Sequence, residues 1–262
     1  MQFYKLLRAD LTHQGHVYKE GLNVDHVRFD PTGFCKPGGL YYTSYEWIGR
    51  WYCREWPLIA DVTLPPDALV YPESCGTKWK ADRLVLSNIR PLSDFLVEQS
   101  EQQLITWLQQ DINDSSLLQH IKRQTPAICR AAIEMHPYAI RWLHEQTDDL
   151  CRQAVARSCC SLEFVKNQTP EIIALAMDRA PGAFSYVRPE QRTPELCLRA
   201  VQLHGACLQW VDNQTRALCE IAVKKDGCNI KWVKPELLTP ELKELAKATA
   251  CESCLTRFVN PR

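Results

Sequence analysis

The sequence predicts an α+β protein: a small mixed α+β domain at the amino terminus, followed by an all-α solenoid of helical-hairpin repeats. Two observations carry this. A pattern opening on Thr recurs at Thr125, Thr147, Thr169, Thr193, Thr215 and Thr239, a period of 22 or 24 residues typical of stacked arrays. Residues 1–92 lack that period and alternate short apolar runs with Gly and Pro. The boundaries follow: an amino-terminal domain over 1–92, a linker with a degenerate first repeat over 93–123, and about six repeats over 124–262.

In the amino-terminal part, Phe3 to Leu7 and Val17 to Val24 read as strands. Residues 29–39 are rich in Gly and Pro and read as a loop, which holds Cys35 as a candidate reactive thiol. Leu40 to Thr43 is a short buried strand, and Ser44 can cap a helix through Trp47, Ile48, Trp51 and Tyr52. Leu58 to Leu64 alternates and is rich in β-branched residues, so it reads as a strand, as do Ala68 to Tyr71 and Trp79 to Leu86. Asn88 to Gln99 joins the two parts. Leu104, Ile105, Leu108, Leu117, Leu118 and Ile121 suit a degenerate repeat that seals the array.

Each repeat begins with a Thr N-cap, whose side-chain oxygen accepts from a free amide of the first turn. Pro126, Pro170, Pro194 and Pro240 fall at the first helical position, where the missing N–H costs nothing. Apolar residues then follow at helical spacing, as in Leu196, Cys197, Ala200 and Val201. A break comes at Pro137, Cys159, Pro181, Gly205 and Gly227, and a shorter helix is expected beyond it. Two columns recur: Cys129, Cys151, Ile173, Cys197, Cys219, and Trp142, Phe164, Tyr186, Trp210, Trp232. The aromatic column is expected in the shared core, because a hairpin this short must bury its apolar face against its neighbours. Lys243 and Lys247 replace apolar residues in the last repeat, the polar outer face that a terminal cap requires.

Basic and acidic residues balance at 31 each, which argues against a nucleic-acid or anionic-membrane partner. No apolar run nears 20 residues and no basic-then-apolar segment opens the chain, so a soluble, unsecreted, cytoplasmic protein is expected. That compartment argues for reduced thiols among the 13 cysteines. The one C-x-x-C, Cys251 to Cys254, lacks the second pair that a structural zinc site needs. His13, His16 and His26 lie within one region without a ligand spacing, and neither metal nor cofactor is expected.

Segments such as 124–133 and 192–201 resemble a family of short helical repeats of unknown function, abundant in giant DNA viruses of amoebae and present in some bacteria. The resemblance covers residues 124–259. The stretches 18–25, 37–43 and 80–83 look like a domain found beside such repeats. It implies a viral source, a non-enzymatic interaction module and a host or viral protein partner, in the host cytoplasm, the viral factory or the virion as a structural component. A narrower likeness touches residues 38–42, Gly-Gly-Leu-Tyr-Tyr, which are similar to the nicotinamide-stacking strand of diphtheria-toxin-type ADP-ribosyltransferases. It implies Tyr41 or Tyr42 as a ligand-stacking residue, with Tyr4 on the early strand beside them. The early His or Arg of that family is absent from Phe3-Tyr4-Lys5, and Asp82 is the nearest residue to its late Glu.

Overall fold

The computed structural model describes residues 1–32, 36–111 and 115–251, and divides into two compact units, 1–145 and 146–262. Cys35 and Cys254 lie outside the described residues.

The first unit holds strands β1 (Phe3–Leu7), β2 (Thr12–His13), β3 (His16–Val17), β4 (Gly21–Val24), β5 (Leu40–Ser44), β6 (Leu58–Thr63), β7 (Val70–Pro72), β8 (Lys78–Ala81) and β9 (Arg83–Pro91). Seven form one antiparallel sheet in the order β4-β9-β6-β1-β5-β8-β7, and β2 with β3 makes a separate hairpin. The single strand expected over Val17–Val24 is broken, because the Asn23 side chain folds back on Lys19, accepting its N–H at 3.0 Å and donating to its carbonyl at 2.8 Å. The strand expected over Trp79–Leu86 is two strands parted at Asp82. Only that residue separates β8 from β9 in sequence, yet four pairing steps separate them across the sheet, so the sheet must curl back on itself. A core cluster of that sheet gathers Leu7, Leu40, Tyr42, Ala60, Leu84 and Leu86.

A short helix, α1 (Ile48–Trp51), lies against α3 (Glu101–Gln110) so closely that a Cβ on Gly49 would run into the Trp107 backbone. The joining segment expected over Asn88–Gln99 is instead the end of β9 and helix α2 (Leu92–Val97). Its Leu92, Phe95 and Leu96 are buried, with Phe95 stacked on Trp107 at 5.9 Å. Helix α3, a 3-10 helix (Ser116–His120), α4 (Pro126–Met135) and a 3-10 helix (Pro137–Trp142) complete the unit.

The second unit repeats that order. Helices α5 (Asp148–Arg157), α6 (Pro170–Arg179), α7 (Pro194–Leu203) and α8 (Arg216–Lys225) are each followed by a six-residue 3-10 helix, Cys159–Phe164, Pro181–Tyr186, Gly205–Trp210 and Gly227–Trp232. Helix α9 (Pro240–Thr249) comes last. From α4 to α9 the Thr before each helix caps it, accepting the N–H three residues on. Two of the spacings are 24 residues rather than 22 because a 3-10 turn is inserted, Pro189–Gln191 and Pro235–Leu237.

Within the second unit α5 packs on α6, α7 on α8, and α8 on α9, while the 3-10 helices pack in series. Ala154, Ala176, Ala200, Ala222 and Ala246 recur at one helix position and are fully buried, letting backbones approach closely. Helix α9 turns Leu242 and Ala246 inward and leaves Lys243 and Lys247 exposed.

The aromatic column is not the interior. Phe164, Tyr186, Trp210 and Trp232, like Trp142 in the first unit, are half-buried at its edge. In a 3-10 helix side chains at i and i+3 eclipse. The inward row is therefore Leu162 with Val165, Phe184 with Val187, and Leu208 with Val211, and the aromatic between them is less deeply buried.

Glycine at the helix break is a steric requirement late in the array. A Cβ on Gly227 would collide with the Ala246 carbonyl and lie 2.6 Å from the Ala250 nitrogen. Gly227→Ala should cost about 1–3 kcal/mol of stability by overpacking, read by urea unfolding. Gly182 has open space around its Cα, so Gly182→Ala is the control and should leave the midpoint nearly unchanged.

Candidate ligand cavity and repeat surface

The first unit contains a cavity of about 130 Å³. It forms where β1 and β5 stop pairing: their register holds only Phe3 with Ser44 and Tyr4 with Thr43, whereas β1 pairs with β6 over five residues. Past that point the Lys5 ammonium reaches across and donates to the Tyr41 carbonyl at 2.8 Å. Tyr4, Tyr41 and Tyr42, the three candidate residues, all line the cavity. Trp51 of α1, Trp56 and Lys78 of β8 contribute further wall.

A hairpin reaches the cavity mouth. Gln14 and Gly15, between β2 and β3, have φ of 51° and 80°, the pair of left-handed residues that a type I′ turn requires. This carries His13 onto Trp56, edge to face at 5.0 Å, and places exposed Gln14 on the cavity wall.

Positive charge dominates the site. Lys5 and Lys78 are only 3% and 5% exposed. Lys5 Nζ lies 4.2 Å from the centre of the Tyr18 ring, and Lys78 Nζ lies 4.2 Å and 4.8 Å from those of Trp51 and Tyr41. Burial pulls the Lys5 ammonium down to about 7. Burial first, then the charges of Lys5, Lys78 and Arg8, push His13 down to about 4, so it is neutral at pH 7. Burial raises the Tyr42 hydroxyl, which has no hydrogen-bond partner. No Asp or Glu is among the described residues lining the cavity. Asp82 is engaged elsewhere, accepting from the Leu69 N–H at 2.8 Å and from Arg83 at 2.9 Å.

Of the three histidines in this region, the structure gathers His16 and His26 with Asp25 instead of His13. One possible ligand atom from each lies within 4.8 Å of the others, and Asp25 is held by the Gly39 N–H at 2.6 Å.

The cysteine column behaves as small apolar side chains. Cys129, Cys151, Cys197 and Cys219 are buried, and burial raises their thiols, Cys151 to about 11. Exposed Cys75 differs: burial, the largest single influence, raises its thiol, but hydrogen bonds from Thr77 (Oγ1 at 3.2 Å) and the Thr77 and Lys78 backbone, with the Lys78 charge, together outweigh it and lower the thiol. Thiolate is the reactive form. At neutral pH a maleimide should therefore label Cys75 well before the column cysteines, as peptide mapping by mass spectrometry would show. Equal labelling would contradict their burial.

Sequence reasoning missed the residue that ties each repeat together. Gln168, one position before its Thr cap, donates to the carbonyls of Leu162 and Tyr186, both at 2.9 Å, and accepts the Arg188 N–H at 2.9 Å. Gln214 does the same to Leu208, Trp232 and Lys234, and Gln124 to Leu118, Trp142 and His144 in the first unit. Gln146 clasps Phe164 and Lys166. Before the first inserted turn's helix, Arg192 takes the place of Gln and donates to the Val187 and Trp210 carbonyls, both at 2.9 Å. The signal was present in the sequence: Gln at 124, 146, 168 and 214 keeps the period.

A groove of about 400 Å³ on the second unit runs past Pro194, Leu198, Val211 and Ala217. Leu198 is exposed there. No helix among the described residues is long and apolar enough to cross a membrane.

Part of the chain is similar to two proteins of Acanthamoeba polyphaga mimivirus that are named for ankyrin repeats. One is 35% identical over 98 residues, covering 35% of this chain and 16% of the relative. The other is 30% identical over 96 residues, covering 32% of this chain and 30% of the relative. The match thus spans less than a third of either relative. No family model matches the chain, and no solved structure matches it. The similarity supports a repeat protein of giant-virus type. The helix starts lie 22 or 24 residues apart, shorter than the roughly 33 of an ankyrin repeat.

Proposed function

We propose that this chain is a viral protein-recognition module whose helical hairpins stack as an α-solenoid and bind a host or viral protein through their exposed helix faces. One observation carries the reading. The positions that hold the units together recur, while the position after the column residue varies as Arg130, Arg152, Ala174, Leu198 and Glu220, exposed in all but Ala174. A fixed scaffold with a varied face suits recognition of an extended partner. The names of the two mimivirus relatives agree with a repeat used for binding. The degenerate first repeat is the hairpin of α3 and Ser116–His120, which shares the helix-then-3-10 order.

The test is a pull-down from infected amoebae with the full chain, read by mass spectrometry, beside Leu198→Arg. Stoichiometric capture of one protein, reduced at least about tenfold by the variant with its melting unchanged, supports the reading. Equal capture by both moves the interface off this face. Recovery only with purified particles would favour a virion structural role. A nucleotide-transferring role draws on Tyr41 and Tyr42 sharing one cavity, and a thermal-shift titration with NAD checks it: no shift removes it.

A further inference from the structure

We propose that His16, Asp25 and His26 of the amino-terminal unit form a binding site for a divalent metal ion of zinc type, with one coordination position left open.

The donor set comes first. Two imidazoles and one carboxylate are ligands that zinc accepts, and one possible ligand atom of each lies within 4.8 Å of the others. Metal–ligand bonds of about 2.0–2.1 Å set tetrahedral ligand atoms about 3.4 Å apart, so no separation has to close by more than about 1.4 Å. The exposed His26 ring supplies that by turning.

Local folding arranges the ligands before an ion arrives. The Asp25 side chain is 7% exposed. Two backbone N–H groups aim its carboxylate, Gly39 donating to Oδ2 at 2.6 Å and Val27 to Oδ1 at 3.1 Å. Each carboxylate oxygen accepts more than one bond, so both can still ligate. His26 Nδ1 stands 3.5 Å from Oδ1. The His16 ring is steadied from three sides. It meets Tyr18 edge to face at 4.5 Å, lies nearly parallel to His26 at 6.3 Å, and has Nε2 3.5 Å from the Asn23 amide oxygen. A ligating histidine commonly has such an outer partner on its other nitrogen. Asn23 is 2% exposed and fixed by Lys19 and Gly21, so the residue that breaks the expected strand also backs the site.

Space fits the same chemistry. A void of about 10 Å³ is bordered by His16 and Asp25. That holds about one water-sized species and no organic ligand. Three protein ligands leave a fourth position for water or an incoming donor, unlike the closed four-ligand arrangement of structural zinc. The site hides in the sequence because one ligand lies on β3 and two follow β4, while His13, the third histidine of the stretch, packs on Trp56.

The probe is zinc chloride, titrated at about pH 7.5 into the full chain kept reduced by a phosphine. Calorimetry and the histidine-ring NMR signals follow it, and cobalt(II) in the same buffer reports ligand type, because the 13 cysteines are the competing zinc ligands. One equivalent of zinc should bind in a step that shifts the His16 and His26 ring signals and raises the melting temperature of the unit. Cobalt in that step should show visible d–d bands without a thiolate-to-metal charge-transfer band. His16→Ala, Asp25→Asn and His26→Ala should each weaken the step at least about tenfold, with His204→Ala, an exposed histidine of the second unit, unchanged. No binding at millimolar zinc, zinc binding that leaves both ring signals unmoved, a thiolate band in this step, or a step undiminished in folded His26→Ala would each overturn the proposal. Should His16→Ala or Asp25→Asn fail to fold, His26→Ala, at an exposed ring, still decides. None of these outcomes depends on the repeats or their protein partner.

Discussion

Lys5→Met should raise the unfolding midpoint of the amino-terminal unit at neutral pH, and the gain should vanish above about pH 10.5. The folded-state ammonium is held near 7 against an ordinary 10.5. Between those values the unfolded chain binds a proton that the folded chain lacks, so stability rises with pH across the window and is lost as pH falls through the folded value. The full shift corresponds to about 4–5 kcal/mol. Methionine keeps the length and removes the charge. It also removes the 2.8 Å donor to the Tyr41 carbonyl, at about 1–3 kcal/mol. The net gain near pH 7 is therefore about 1–3 kcal/mol, or several degrees in Tm for a unit of this size. The groups at Lys5 Nζ are the Tyr18 ring and the Tyr41 carbonyl. Calorimetric melts of both proteins from pH 6 to 11 decide it. A variant less stable at every pH would mean that the ammonium is already well solvated or paired.

A lysine so placed is a cost to the fold. It also shows where sequence reading stops. Tyr41 and Tyr42 were legible as candidates because aromatic residues after a Gly-Gly turn stand out. Lys5 and Lys78 were not, because a strand lysine ordinarily faces solvent and only the loss of pairing between β1 and β5 turns Lys5 into the gap. The strands themselves were readable from alternation. The curl of the sheet was not, since it depends on Asp82 parting one apolar run between opposite ends of the sheet. In the repeats, Thr caps and N1 prolines marked every helix start from α4 on except where Pro is absent, at α5 and α8, and there Thr147 and Thr215 alone sufficed. The second helix of each hairpin has the same apolar residues whether α or 3-10, so the eclipsed i, i+3 face, and with it the displacement of Trp210 and its counterparts, had to be seen. The clamping glutamine looked like a loop residue because its three partners lie 6 residues before it and 18 and 20 after it.

That clamp carries the second large effect. Gln168→Leu should destabilise the second unit by about 3–5 kcal/mol. Gln168 is 2% exposed and its amide is saturated by two carbonyls and one N–H. Leucine has nearly the same volume, so packing loss is small. It removes one donor each from the Leu162 and Tyr186 carbonyls, of which Leu162 still accepts the Val165 N–H at 3.2 Å, and the acceptor of the Arg188 N–H, three hydrogen bonds lost at about 1–2 kcal/mol each. Gln168→Arg separates chemistry from shape. Arg192 performs the same task with a guanidinium, but only where the chain carries the additional Pro189–Gln191 turn. Arginine at 168 can supply donors yet lacks that room and cannot accept the Arg188 N–H, so it should recover only part of the loss. Because neighbouring units share interfaces, the damage should spread as reduced cooperativity, a lower urea m value beside a lower midpoint. A loss below about 1 kcal/mol for Gln168→Leu would mean that water replaces the amide, and that the array is held by its Ala and aliphatic rows alone.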